Sequence, residues 1–212
     1  MDTVPILYSF RRCPYAIRAR MALLSSKIAV ELREIILRDK PASMLEYSPK
    51  GTVPVLVLND NRVIDESREI ISWALQHNDP EQLLRTDKTQ IKQLIDQNDG
   101  DFKASLDRYK YADRYPEKTM LEYRSDGEQF LALLEQRLGQ HRFLIDDKPS
   151  VADLAIFPFI RQFAHVDKAW FDQSQYNNLQ RWLNGFLESA AFERCMQKRP
   201  PWKPGDSTEF FQ

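Results

Sequence analysis

The sequence is poor in cysteine: of 212 residues, only Cys13 and Cys195 carry a thiol. Two thiols with dissimilar neighbours support neither a disulfide framework nor a zinc site, and a reducing cytosol suits this usage best. Histidine is almost as scarce. His77, His141 and His165 are scattered without metal-ligand spacing. The six glycines form no phosphate-binding loop, so neither a metal nor a nucleotide cofactor is expected. No run approaches the roughly 18 apolar residues of a membrane span, and the start MDTVPILYSFRRC has no basic leader before its short apolar run. The expectation is a cytoplasmic protein with no membrane partner. An excess of either charge is also missing. Thirty Lys and Arg against 31 Asp and Glu leave a net charge of −1, without the positive field that binding to nucleic-acid phosphates depends on.

What is present is the composition of a folded chain, 42% hydrophobic and 29% charged, long enough for one large domain or two small ones at about 150 residues each. Residues 4–10 form an apolar run of strand length. Residues 14–28 follow with Ala16, Ala19, Leu23 and Leu24 on one helical face, so a buried strand feeds an amphipathic helix. Alternation over 30–37 predicts a second strand and 41–47 a short helix. Residues 53–58 and 62–64, turning at Asn59-Asp60-Asn61, predict a hairpin, and 66–77 a closing helix. The order is βαβαββα. Asn78-Asp79-Pro80 reads as a break. Beyond it helical periods dominate, with helices expected at 86–115, 117–139, 150–166, 176–189 and 191–198. The domains are therefore placed at 1–78, α/β, and 87–198, all-α, with an irregular tail at 199–212. Ser150 and Asp153 have the spacing of a capping box, which is a folding signal.

The strand-to-helix turn Arg12-Cys13-Pro14-Tyr15-Ala16 carries the chemistry. A cysteine just before the first helical turn meets free N–H groups and the positive end of the helix dipole, both of which favour a thiolate. Pro14 suits the first helical position and leaves the amides of Tyr15 and Ala16 as donors to sulfur. Lowering a thiol pKa from about 8.5 to about 6.5 requires roughly 2.7 kcal/mol, whereas an exposed dipole supplies about 0.3–1 kcal/mol. One or two N–H bonds to the anion, at about 1.5–3 kcal/mol each, close the gap, with Arg11 or Arg12 contributing if either points inward. Position 16 is alanine, so no second thiol in the CxxC position can resolve a mixed disulfide. An external thiol must complete any disulfide cycle, and glutathione is the abundant cytosolic one.

Three further segments bear on a ligand. Pro54 at a strand start marks an edge or a cis bond, which would leave the Val53 backbone to pair with a peptide-like ligand; a strand-start proline with no ligand is the equal alternative. Asp65-Glu66-Ser67 precedes the third helix and suits an amino-acid head group, with Ser67 on its carboxylate and Glu66 on its ammonium, although an ordinary cap explains it as well. Lys40, before Pro41, is either a solvated loop charge or a partner for a second carboxylate.

Together RRCPYAIRAR, Lys40-Pro41, TVPVL and DES resemble the cysteine-type omega or omega-like class of the glutathione transferase superfamily. The resemblance implies that architecture: a thioredoxin-like α/β N-terminal domain and an all-α C-terminal domain. It implies that Cys13, with Tyr15 beside it, meets the sulfur of glutathione, and that Val53 before a cis Pro54 pairs with its cysteinyl unit. Glu66 and Ser67 would hold the γ-glutamyl end, with Lys40 near the glycyl carboxylate. Glutathione is then a cosubstrate, no bound cofactor is needed, and a homodimer is expected. The implied activity is thiol transfer or reduction, acting on a glutathionylated disulfide or a small oxidant such as dehydroascorbate. Conjugation of glutathione to a small electrophile and a non-catalytic adaptor role are the rivals. Tyr8 sits within the apolar run and is read as packing, not as an activating phenol. Arg108 to Tyr115 interleaves basic and aromatic residues; Tyr111 and Tyr115 share a helical face and are the candidates for a second-substrate cleft, with helix packing the simpler reading. Trp170, Trp202, Phe210 and Phe211 are read as covering apolar surface or the second-substrate site, with packing the simpler reading, and Cys195 is taken as structural.

Overall fold

The first apolar run becomes strand β1 (Ile6–Ser9) in the computed structural model, which describes residues 4–85 and 87–212. Helix α1 (Pro14–Ser25), strand β2 (Val30–Glu34), helix α2 (Ala42–Tyr47), strands β3 (Val55–Val57) and β4 (Val63–Ile64), and helix α3 (Ser67–His77) follow in the βαβαββα order. The strands lie in the order β4-β3-β1-β2. β1 and β2 are parallel with Leu7 opposite Leu32, while β3 is antiparallel to β1 with Leu56 opposite Leu7. These three leucines are 0–2% exposed and lie on one side of the pleat. On the other side α2 contributes Met44 to a cluster with Tyr8, Ile35, Val53, Val55 and Val57. Sequence alternation thus assigns each strand its two faces.

The chain divides into two units. One combines the segment up to Gln82 with Ala190–Gln212, and the other is Leu83–Ser189. The assignment of 191–198 to the helical domain and of 199–212 to an irregular tail is therefore corrected. Helix α10 (Ala190–Met196) groups with the sheet, and Phe210–Phe211 forms a fifth strand, β5, antiparallel to β2 with Val30 opposite Phe211. The physical reason is the open edge of β2. Leu32 N–H donates to the Glu209 carbonyl and Trp202 N–H to the Glu34 carbonyl, each at 2.8 Å, and pairing satisfies backbone groups that an edge strand leaves free. Phe211 is buried, with the Arg20 and Arg199 guanidinium groups 5.6 and 5.8 Å from its ring centre.

The second unit holds α4 (Lys88–Gln97), α5 (Lys103–Lys110), α6 (Met120–Leu138), α7 (Val151–Ala164), α8 (Lys168–Gln173) and α9 (Asn177–Leu187). The continuous helix expected over 86–115 is interrupted by a π-helical turn at Asn98–Phe102, and α5 ends at Lys110; Thr86 lies outside the described residues. Helix α8, short and opened by Asp167 accepting from Trp170 N–H at 3.0 Å, was not expected. Gly127 permits the approach of α6 to α7, since a Cβ there would lie 2.5 Å from the Phe163 ring. Among the described residues no helix is long and apolar enough to cross a membrane.

Candidate active site at the first strand-to-helix turn

Cys13 is the N-cap of α1, with φ −79° and ψ 124°, and Pro14 opens the helix. Its N–H donates to the Phe10 carbonyl at 3.0 Å and its carbonyl accepts from Ile17 N–H at 2.9 Å, so the backbone holds the turn while the side chain forms no cap hydrogen bond. That is the consequence of placing cysteine where serine or aspartate would cap the helix: its side chain does not engage the first-turn amides. The half-buried Sγ lies 3.8 Å from the Val53 carbonyl, and Val53–Pro54 is cis. Cys13 packs against the cluster around Tyr8 and Val53, as does Trp202. Among the described residues no hydrogen bond ends on the Val53 N–H.

The two arginines before Cys13 are engaged with other groups. Arg11 Nη1 donates to the Met196 carbonyl at 3.2 Å, and exposed Arg12 lies 5.3 Å above the Phe10 ring. Arg11 N–H instead donates to Glu34 Oε1 at 2.6 Å, and Arg20 Nη2 to Glu34 Oε2 at 2.7 Å. This buried carboxylate ties the turn to β2 and α1. Desolvation pulls the buried Arg20 guanidinium below its ordinary value, opposed first by the attraction of Glu34. Tyr8 is fully buried. Its hydroxyl donates to Ser43 Oγ at 3.0 Å and accepts from Arg33 Nη1 at 2.7 Å, which commits the phenol to the fold.

At the start of α3, Glu66 is the N-cap and Ser67 the first helical residue. Ser67 is buried, and its Oγ accepts from Arg18 Nε at 3.0 Å, leaving the hydroxyl proton to donate. The Glu66 side chain is 59% exposed and paired with Lys50, a residue the sequence reading missed. The turn carrying Lys50 is closed by Gly51 N–H on the Ser48 carbonyl at 3.0 Å, and Gly51 adopts φ +64°, which favours glycine. Ser48 Oγ donates to Asp65 Oδ2 at 2.6 Å, fastening this turn to the start of α3. The stem of half-buried Lys40 passes 3.8 Å from where a Cβ on Gly51 would stand.

The structure therefore brings Cys13 and Val53-Pro54 together directly, and joins Lys40, Gly51, Lys50, Glu66 and Ser67 through successive contacts. The Tyr15 ring stands 5.1 Å from the guanidinium of Arg18, three residues further along the same helix. Tyr111 and Tyr115 belong to the helical unit but lie beyond the end of α5, Tyr111 as its C-cap and Tyr115 after a short turn at Ala112–Arg114, so the shared helical face is not formed. The Tyr111 ring stands 4.9 Å from Lys110 Nζ and 4.6 Å from the Arg114 guanidinium, and Tyr115 meets Tyr123 edge-on at 6.4 Å. The groups missed are Lys50, in a loop with no periodicity or motif, and Arg18, which lies within RRCPYAIRAR without a role assigned to it; only the fold brings them to α3. Among the described residues no His, Cys, Asp and Glu cluster could hold a metal.

A sheet of this topology, with a cysteine opening its first helix and a helical unit after it, defines a thioredoxin-like domain joined to an all-α domain. Family models described as "Glutathione S-transferase, N-terminal domain" and "Glutathione S-transferase, C-terminal domain" match residues 7–82 and 93–185. The chain belongs to the glutathione S-transferase family. Its relatives include Glutathione S-transferase DHAR2 of Arabidopsis thaliana, 25% identical over 195 residues that cover 88% of this chain and 85% of the relative. Another is Glutathione S-transferase omega-1 of Mus musculus, 29% identical over 168 residues, 76% of this chain and 68% of the relative. Among solved structures, glutathione transferase URE2P6 from Phanerochaete chrysosporium, in complex with oxidized glutathione, has the same fold at TM-score 0.78 and 20% identity, covering 92% of this chain and 95% of that one.

Proposed function

We propose that the chain is a glutathione-dependent thiol transferase or reductase in which Cys13 is the nucleophile. In the first half-reaction the Cys13 thiolate attacks the glutathionyl sulfur of a mixed disulfide; the new Cys13–glutathione bond forms as the old S–S bond breaks, and the departing thiolate takes a proton. In the second, a glutathione thiolate attacks the glutathionyl sulfur, releasing Cys13 and forming oxidised glutathione. Val53 and the cis Pro54 would meet the cysteinyl unit, Glu66 and Ser67 the γ-glutamyl end and Lys40 the glycyl carboxylate. Tyr15, turned toward Arg18, contributes its amide rather than its ring. Tyr111 and Tyr115 are the candidates to contact the second substrate. The relatives named DHAR2 and omega-1, and the structural neighbour that holds oxidized glutathione, support this reading. We place the enzyme in the cytoplasm as a homodimer.

The observation that carries the proposal is the open cap: a half-buried cysteine at the start of α1, with alanine at position 16, packed beside the carbonyl before a cis proline. Intact-mass measurement after incubation with oxidised glutathione tests it. Wild type gains one glutathione and loses it on adding reduced glutathione, whereas Cys13→Ala gains none. Undiminished disulfide exchange by Cys13→Ala overturns the mechanism, and a robust aryl-halide conjugation rate without exchange establishes conjugation in its place.

A further inference from the structure

The Glu66 carboxylate already holds a cation. Lys50 Nζ is hydrogen-bonded to Glu66 Oε1 and lies 3.9 Å from Asp65 Oδ1. The backbone turn that carries Lys50 is closed by Gly51 N–H on the Ser48 carbonyl, and Ser48 anchors that turn to Asp65. Both partners are exposed, at 43% for Lys50 and 59% for Glu66, so the pair exchanges freely with other ions and is screened by salt.

We propose that Lys50 is an internal competitor for the ammonium subsite: it occupies Glu66 in the free enzyme and yields to the γ-glutamyl ammonium on binding. The proposal rests on the assignment of Glu66 to that end of glutathione. The exchange is cation for cation, so the carboxylate is never left bare, and the displaced ammonium finds Asp65 next to it. Two ammonium groups on one carboxylate repel each other, which makes the contacts competitive. A ligand whose amine is acylated brings no replacement cation and leaves the Lys50–Glu66 pair in place. Lys50 therefore sets both the affinity for γ-glutamyl peptides and the discrimination against N-acylated ones. The hydrogen bond to Glu66 also holds the Lys50 ammonium above its ordinary pKa, as expected of a cation retained by its partner.

The test uses S-methylglutathione, which cannot form a disulfide, and its N-acetyl derivative, with dissociation constants from calorimetry. Lys50→Met is expected to tighten S-methylglutathione binding about two- to fivefold, the scale of an exposed ion pair. Lys50→Arg restores the wild-type value. The gain vanishes at high salt and in a Glu66→Gln background, and binding of the N-acetyl derivative does not change. Tightening that persists in the Glu66→Gln background, or weaker or unchanged binding by Lys50→Met while Glu66→Gln weakens it, overturns the competitor role but keeps the subsite. Unchanged binding by Glu66→Gln overturns the subsite and the competitor together. Because Lys50 is exposed, an unchanged melting temperature confirms that each comparison is made on folded protein.

Discussion

At the start of α1 the Cys13 side chain caps nothing, whereas at the start of α7 every acceptor is engaged. There Asp153 Oδ2 accepts from the Ser150 N–H and hydroxyl, each at 2.8 Å, and Oδ1 accepts from Leu144 N–H and Trp182 Nε1, each at 2.9 Å. Burial pushes the Asp153 carboxyl up, and these four donors oppose the shift. The two helix starts illustrate how one backbone requirement serves different ends. Where side chains satisfy the first turn, the helix start ties a loop and a neighbouring helix into the core. Where a weakly bonding sulfur stands in the cap position, the side chain leaves the first turn uncapped.

Substitutions can break this contrast at either end. Cys13→Ala should lower thiol transfer by about a thousandfold or more while shifting the melting temperature by under about 2 °C, because it removes a nucleophile and no helix-capping bond. A large loss of stability would show that the cap was structural after all. Asp153→Ala should do the opposite. It leaves buried donors on Ser150, Leu144 and Trp182 without an acceptor, at about 1–3 kcal/mol each, so a fall of roughly 10 °C is expected by calorimetry. Mixed-disulfide formation at Cys13 should persist in whatever fraction folds.

A third pair of variants sharpens the comparison within the tail. Phe211→Ala removes a buried ring and should destabilise the protein by about 3 kcal/mol in urea titration, whereas Phe210→Ala, at a position 58% exposed, should change it by less than about 1 kcal/mol. Equal effects would mean that β5 is not seated as described. At the α3 start, Glu66→Gln should weaken S-methylglutathione binding about three- to tenfold, the range for a charge-assisted bond at an exposed site. The smallest expected change is the gain on Lys50→Met.

The features legible in the sequence were those that depend on neighbours along the chain. Apolar runs and alternation located β1 to β4, and Cys13-Pro14 and Ser150 with Asp153 announced a helix start and a capping box from a few residues each, while Val53-Pro54 offered the cis bond as one of two equal readings. What escaped notice depends on distant partners. Phe210–Phe211 is too short to show a period, and its partners at Val30 and Glu31 lie far back in the sequence. Lys50 reads as a loop charge until folding sets it against Glu66. The turn at Asn98–Phe102 changes a helix from α to π without altering its polarity pattern, and only the packing of Phe102 on Phe130 and Phe163 shows what that change positions.

The pairing of β5 with β2 makes the first unit discontinuous, its two segments separated along the chain by the whole of Leu83–Ser189. Helices of Leu83–Ser189 form one uninterrupted stretch and can pack while the chain is still being made. The sheet, by contrast, waits with one bare margin until Trp202, Glu209 and Phe211 have been synthesised. Birth order and completion order are thus reversed, and a stop codon ahead of Phe210 would leave the nucleophile's own domain unfinished although Leu83–Ser189 had been made in full.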